Sequence, residues 1–334
     1  MTKLTDIGEF GLIARFSPRF LSNLPAGVVG IGDDCAVLPW KKDARLLVTT
    51  DMLVEGIHFL RDRIRPRDLG AKSLAVNLSD IAAMGGKPDS AFLSLAIPRG
   101  TGVEWLDRLF KGIGDLTASE NIHLLGGDTT RSPGPVVINI AVLGRVHPAR
   151  VKFRSGARPG DEVCVTGFLG DSGGGLRVLL ENRRQGRDEA YLVRRHNRPR
   201  AHLAEGAWLA GKKGVTAMMD VSDGIDSDLR RIMERSGCGA AVELEELPLS
   251  GPLRRAAAVR GWNLYEVAAT GGEDYCLVAT VRPDCLPGIA RGFERKFGRR
   301  LSRIGSITGE RGKLRYRLNG NPAVLGRHGF DHFR

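Results

Sequence analysis

The chain has 334 residues, 42% hydrophobic and 26% charged, with a formal net charge of +12. That is globular composition, long enough for two domains of ordinary size. No apolar run approaches the roughly eighteen residues of a membrane span, and Met1–Phe10 has no apolar stretch of signal-peptide type, so no membrane association is expected.

Five scattered cysteines, Cys35, Cys164, Cys238, Cys276 and Cys285, form no CxxC pair. This argues against a disulfide framework or a zinc site and for a reducing, cytoplasmic location. The basic residues are dispersed. Their densest group is Arg194, Arg195, Arg198 and Arg200, with Arg183, Arg184 and Arg187 upstream. No aromatic residues interleave with them in the manner of single-strand binders, so nucleic acid is not an expected partner. The sequence attaches no role to the excess charge.

Residues 46–50 (LLVTT) read as a strand that ends at Asp51. Asp68–Met84 reads as a largely buried helix, with Asp68 as N-cap and Gly85-Gly86 as its stop. Ser73, Asn77, Asp80 and Met84 recur on one side of it, placing a polar stripe with one carboxylate in an apolar helix. Asp89–Pro98 reads as a strand, Val103–Glu120 as a helix and Val136–Val146 as a strand. The turn-rich segment 147–160 separates domains 1–148 and 149–334. Beyond it, Glu162–Thr166 reads as a strand, Gly167–Leu176 as a glycine-rich loop before a helix, Val215–Met219 as a strand ending at Asp220, Ser227–Arg235 as a helix and Tyr275–Val281 as a strand. Alternating elements in both halves give α/β (or α+β) domains.

Acids recur in glycine-flanked turns and after apolar runs: Asp33-Asp34, Asp51, Asp80, Asp128, Asp220, Asp223, and Glu273-Asp274. A single such acid is a turn former or a cap. Several buried together require cations, and Asp with Ser/Thr hydroxyls suits Mg²⁺ where phosphates complete the shell. Spacing alone leaves both readings open. No GxxxxGK[ST] is present, nor a kinase-type GxGxxG with a strand lysine and HRD. The amides of 167–175 offer an anion cradle, although such turns also serve close packing.

The segments GIGDDCAVL (30–38), TTDMLVEGIHF (49–59), KSLAVNLSDIAAMGGKPD (72–89), GGDTTR (126–131), RSGARPGDEVCVTG (154–167), DVSDG (220–224), GGEDY (271–275) and GFDHF (329–333) together resemble the thiamine-monophosphate kinase family. Its wider group includes aminoimidazole ribonucleotide synthetase, selenophosphate synthetase and a hydrogenase maturation protein. The resemblance implies a two-domain aminoimidazole ribonucleotide synthetase-like fold. It also implies N-terminal domains paired in a homodimer, and ATP in a cleft between domains and across the pairing surface. The implied reaction is phosphorylation of thiamine monophosphate to thiamine diphosphate with ATP and several Mg²⁺ ions, potassium being a further candidate cation.

By position, Asp34, Thr49, Thr50, Asp51, Asp80, Asp128, Asp220 and Asp223 would hold metal, with Asp33 behind them. Asp51, Asp80 and Asp128 would be catalytic, and Gly127, Asp128, Arg154 and Ser222 would contact ATP. His58, Glu273 and Phe330 would contact the thiamine substrate, with Phe330 standing where other members have tyrosine. The competing expectations are a sibling ATP-dependent enzyme, disfavoured by the absence of a reactive Cys–Lys segment and by the TTD…GIHF and GGEDY combination, and a basic nucleic-acid-binding protein.

Overall fold

The computed structural model describes residues 4–22, 24–181, 186–326 and 329; Phe330 lies outside them. The first half runs α1 (Leu4–Leu21, bent at Gly8), β1 (Ala36–Lys41), β2 (Ala44–Val54), α2 (Pro66–Ala83), β3 (Lys87–Pro98), α3 (Val103–Glu120), β4 (His123–Ser132) and β5 (Val137–Val146). Its strands form one sheet in the order β1-β2-β5-β3-β4, parallel only between β3 and β4.

The second half contains β6 (Glu162–Val165), α4 (Asp171–Glu181), α5 (Arg187–Asn197), α6 (Leu203–Ala210), β7 (Val215–Asp220), α7 (Ile225–Ser236) and β8 (Gly239–Glu243). It continues with α8 (Gly251–Arg260), α9 (Leu264–Thr270), β9 (Leu277–Val281), α10 (Leu286–Phe297), β10 (Ser302–Thr308), β11 (Leu314–Leu318) and β12 (Asn321–Ala323). Its seven strands are ordered β12-β11-β8-β10-β6-β9-β7, with β8–β11 the parallel pair. Among the described residues no helix is long and apolar enough to cross a membrane.

Alternation along β2, β3 and β5 sorts the first sheet into two faces. Leu47, Leu53, Leu93, Leu95, Ile138, Ile140 and Val142 are buried beneath α2 and α3, whereas Met52 and Phe92 are exposed on the other face. The two helices cross at glycines: a Cβ on Gly112 would stand 1.9 Å from the Arg67 carbonyl oxygen, and one on Gly70 2.0 Å from that of Leu109. Asp68 is not the N-cap of α2. Arg65 holds that place and Pro66 is the first helical residue, because proline supplies the right φ and needs no amide partner.

α2 is apolar nearly all round because it is covered twice. One side meets the first sheet. Its C-terminal end enters an apolar cluster of the second half, where Ala82 and Ala83 join Leu209, Ala210, Met218 and Leu277. The approach is backbone-close: a Cβ on Gly206 would come within 2.1 Å of the Ala82 carbonyl oxygen. In the reverse direction Tyr275 packs into the core of the first half.

Candidate active site

Five chain segments meet at one end of α2. β2 presents Thr49 and Asp51 on the face it turns to the helix. The Thr49 hydroxyl donates to Asp80 Oδ2 at 2.5 Å, and the Asp51 amide donates to Asn77 Oδ1 at 2.9 Å. The predicted stripe on α2 is therefore what grips β2, and Asn77 in turn donates to the Ser73 carbonyl. β7 delivers Asp220 at its last residue. The loop before β1 delivers Asp33 and Asp34. Asp33 accepts the Arg154 amide at 2.7 Å, and Asp34 Oδ1 accepts Arg154 Nη2 at 2.7 Å.

Asp34, Asp80 and Asp220 can each offer one oxygen with all three atoms within 4.8 Å of one another. Such crowding penalises ionisation. Burial, then the charge of Asp34, pushes the Asp220 carboxyl up to about 8. Burial, Asp34 and Glu9 raise Asp51 to about 6, while burial, Asp51 and Asp220 hold Asp80 well above the carboxylate range. Asp34 Oδ2 is buried with no hydrogen-bond partner among the described residues. Converging hard oxygens, one of them orphaned, fit a divalent cation of the Mg²⁺ type.

A cavity of about 1130 Å³ opens from this cluster between the halves. Arg154, Ser222, Asp223, His58 and Glu273 line it with the carboxylates. His58 Nδ1 accepts the Val54 amide at 3.0 Å. Glu273 Oε2 accepts Lys72 Nζ at 2.9 Å, with Lys72 fully buried. Burial works to raise the Glu273 carboxyl, but the Lys72 charge and then His196 outweigh it and hold it below its ordinary range. Burial, then Lys72, lowers His196 to about 4, so its ring is neutral at pH 7. The GGEDY loop is strained: Glu273 and Tyr275 both have positive φ, 64° and 50°. Such geometry persists only where the surroundings impose it.

Two predicted groups fall elsewhere. Gly127 and Asp128 lie inside edge strand β4, not in a loop at a strand end. The register sets Asp128 beside Ser94, which faces Asn139, which faces Met52, all on the open side of the sheet. Asp51 is on the helix side, three strand spacings away, or about 14 Å. Thr50 borders the cavity, but its hydroxyl turns to Asn139 Oδ1 at 3.1 Å.

The glycine-rich segment 167–176 is not an open cradle either. α4 begins within it at Asp171, and the amides of Gly170 and Ser172 are taken by the Asp274 carboxylate at 2.5 and 3.0 Å. Lys72, His196 and Asp228 are site residues that the sequence reading did not pick out. A lysine opening an otherwise apolar helical run was the available signal for the first. Asp228, an acid in the first turn of α7 where such residues commonly serve the helix start, is buried and accepts the Asp223 amide at 3.2 Å. For His196 the sequence carries no signal.

The chain matches the AIR synthase related protein N-terminal domain over residues 32–146 and the corresponding C-terminal domain over residues 158–317. It is 40% identical over 329 residues to the thiamine-monophosphate kinase of Escherichia coli K12, covering 98% of each chain. The chain belongs to the thiamine-monophosphate kinase family. The Bacillus subtilis member is 36% identical over 276 residues, 82% of this chain and 83% of the relative. The solved structure "AaThiL complexed with AMPPCP and TMP" superposes with a TM-score of 0.85 at 32% identity, covering 99% of both chains. Hydrogenase maturation protein HypE, at 17% identity and a TM-score of 0.71, shares the fold.

Proposed function

We infer that the chain phosphorylates thiamine monophosphate with ATP, yielding thiamine diphosphate and ADP. The observation that carries this reading is the convergence of Asp34, Asp80 and Asp220 in one cavity with His58 and with Glu273, which Lys72 holds from behind. The carboxylates suit a cation–polyphosphate group, and His58 and Glu273 offer polar anchors for an acceptor. The family relationship and the relative seen with AMPPCP and TMP support the same assignment.

Asp34, Thr49, Asp51, Asp80 and Asp220 would hold Mg²⁺, with Asp223 at a further position. The bound cations supply charge neutralisation between two polyanions and alignment of their oxygens. Arg154 sits beside Asp34, where it can meet a phosphate oxygen. Lys72 fixes Glu273 and the His58 carbonyl in one arrangement, presenting His58 and Glu273 to the acceptor. Ser222 accepts the Glu273 amide through its carbonyl at 2.6 Å, tying the nucleotide end to the acceptor end. No general base is required, since a phosphate monoester is largely dianionic above its second pKa of about 6. Transfer is direct and in line, without a phosphoenzyme.

Gly127 and Asp128 enter this scheme through a second copy of the chain. The open face of the first sheet exposes Met52 and Phe92, and the start of edge strand β4 exposes Leu124 and Leu125, an apolar surface that suits pairing of N-terminal domains 1–148 in a homodimer. Pairing there would carry Asp128 toward the partner's cavity, with 149–334 completing the nucleotide and substrate site.

The deciding experiment incubates the protein with ATP and Mg²⁺ and with thiamine monophosphate, thiamine or no acceptor, identifying products by mass. Thiamine diphosphate and ADP formed only from the monophosphate and only with Mg²⁺ is the expected result. No ADP from any thiamine species would reject the assignment.

A further inference from the structure

A second cavity, about 400 Å³, lies between the α2–α3 pair and residues 194–200. Its walls carry Arg67, Arg194, Arg195, Arg198 and Arg200 against the single carboxylate of Asp115. Internal pairing engages only part of this charge. Arg67 Nε donates to Asp115 at 2.6 Å, and Arg198 Nε stands 3.3 Å from Asp68. Arg200 is 3.9 Å from Glu205, which already holds Arg299 at 2.5 Å. Arg195 Nε is buried with no hydrogen-bond partner among the described residues, and the Arg195 charge also acts on the buried carboxylates of Asp171 and Asp274.

The C-terminal end of α5 favours some positive charge there, and an anion in the concavity would relieve the repulsion that Asp115, Asp68 and Glu205 leave among the guanidiniums. Their planar forks suit phosphate oxygens. The site is a small pocket, not an extended basic track, and its size suits a compact ligand. Two or more guanidiniums lining one concavity can meet both phosphoryl groups of a diphosphate.

We propose that this arginine-lined cavity binds a diphosphate group, free or esterified, at a site separate from the carboxylate-lined cavity. The two sites share a wall. Arg194, Arg195 and Arg198 line the arginine cavity, while His196 and Asn197, between them in sequence, line the other. His196 Nδ1 is 3.2 Å from Glu273 Oε2. An anion that draws on Arg195 thus acts on the turn that positions His196, and the site reports diphosphate concentration to the larger cavity. Only this last coupling rests on the kinase reading; the binding site does not.

The test is calorimetric titration of the full chain at low ionic strength in EDTA, where the metal-free carboxylates repel anions. Inorganic diphosphate and thiamine diphosphate are the two probes. Saturable binding of one ion per chain is expected, weakened at least tenfold in Arg194→Gln/Arg198→Gln, or in Arg200→Gln if the double variant does not fold. Asp51→Asn should leave it unchanged. Tighter binding of the ester identifies an organic diphosphate as the ligand, and tighter binding of the inorganic ion identifies free diphosphate. Binding weaker than about 1 mM for both probes, binding indifferent to the arginine substitutions, or binding strengthened by Asp51→Asn would overturn the proposal.

Discussion

The carboxylate cluster makes metal-free stability depend on pH in an unusual direction. The folded-state pKa of Asp220 is raised from 3.8 to about 8, and that of Asp51 to about 6. The folded protein therefore holds protons that the unfolded chain has lost. The stabilising contribution is complete below about pH 4 and is lost as pH rises through 6 and 8. A shift of about four units at ~1.4 kcal/mol each sets a ceiling near 6 kcal/mol for Asp220. Neighbouring acids share that cost and water relieves some of it, leaving about 3 kcal/mol. Asp220→Asn should thus raise the Tm of metal-free protein at pH 8 by about 6 °C, at ~2 °C per kcal/mol for a chain of this size. At pH 5 it should change little, and Mg²⁺ should stabilise the wild type but not the variant. Thermal melts in EDTA and in Mg²⁺ at both pH values check this. A variant destabilised equally at pH 5 and pH 8, with no Mg²⁺ effect on the wild type, would refute a cation-demanding cluster.

Other outcomes follow from named contacts. Asp51→Asn and Asp128→Asn should each abolish turnover, yet co-expressed chains should recover about a quarter of wild-type activity, because half the dimers would hold one intact site; no recovery would place Asp128 outside a shared site. Glu273→Ala removes the carboxylate facing fully buried Lys72 and should cost about 3–5 kcal/mol, read from the denaturant midpoint along with lost turnover. Gly112→Ala pushes a methyl into the Arg67 carbonyl and should cost about 3 kcal/mol. Gly114→Ala, two residues along α3 with nothing within 4 Å, should instead gain roughly 0.5–1 kcal/mol, and the pair of melts separates crowding from helix propensity.

Elements with an unambiguous local pattern were legible in the sequence. The helix Val103–Glu120 appears at those bounds, and the strand at 46–50 grows only outward to Ala44–Val54. Legibility failed where tertiary partners decide. Gly126–Thr130 looked like a turn because of its glycines. In the sheet it is strand, since a Cβ on Gly127 would lie 1.7 Å from the Leu93 carbonyl oxygen, so glycine is the residue β3 permits there. Segment 167–176 looked like a loop for the same reason, yet Asp274, a hundred residues away in sequence, caps its amides and starts α4.

Much of the site was visible as a set of acids, and the structure brings Asp34, Asp51, Asp80 and Asp220 into one cavity. What composition could not reveal was the side of the sheet on which each acid stands. That depends on register, and it separates Asp128 from Asp51. The pairing of Lys72 with Glu273 was equally hidden, because neither residue carries a local signal of the other.

That pairing spans 201 positions of sequence, and it has a consequence during synthesis. When a ribosome releases the first sheet and α2, the ammonium of Lys72 has no carboxylate to meet, Ala82 and Ala83 have no second surface, and the place of Tyr275 is empty. At about 5–20 residues per second Glu273 and Tyr275 arrive roughly 6–25 s after the last strand of that sheet. Over that interval the early half must wait with its central helix half-clothed, an exposure that invites chaperone attention until the GGEDY segment closes over it.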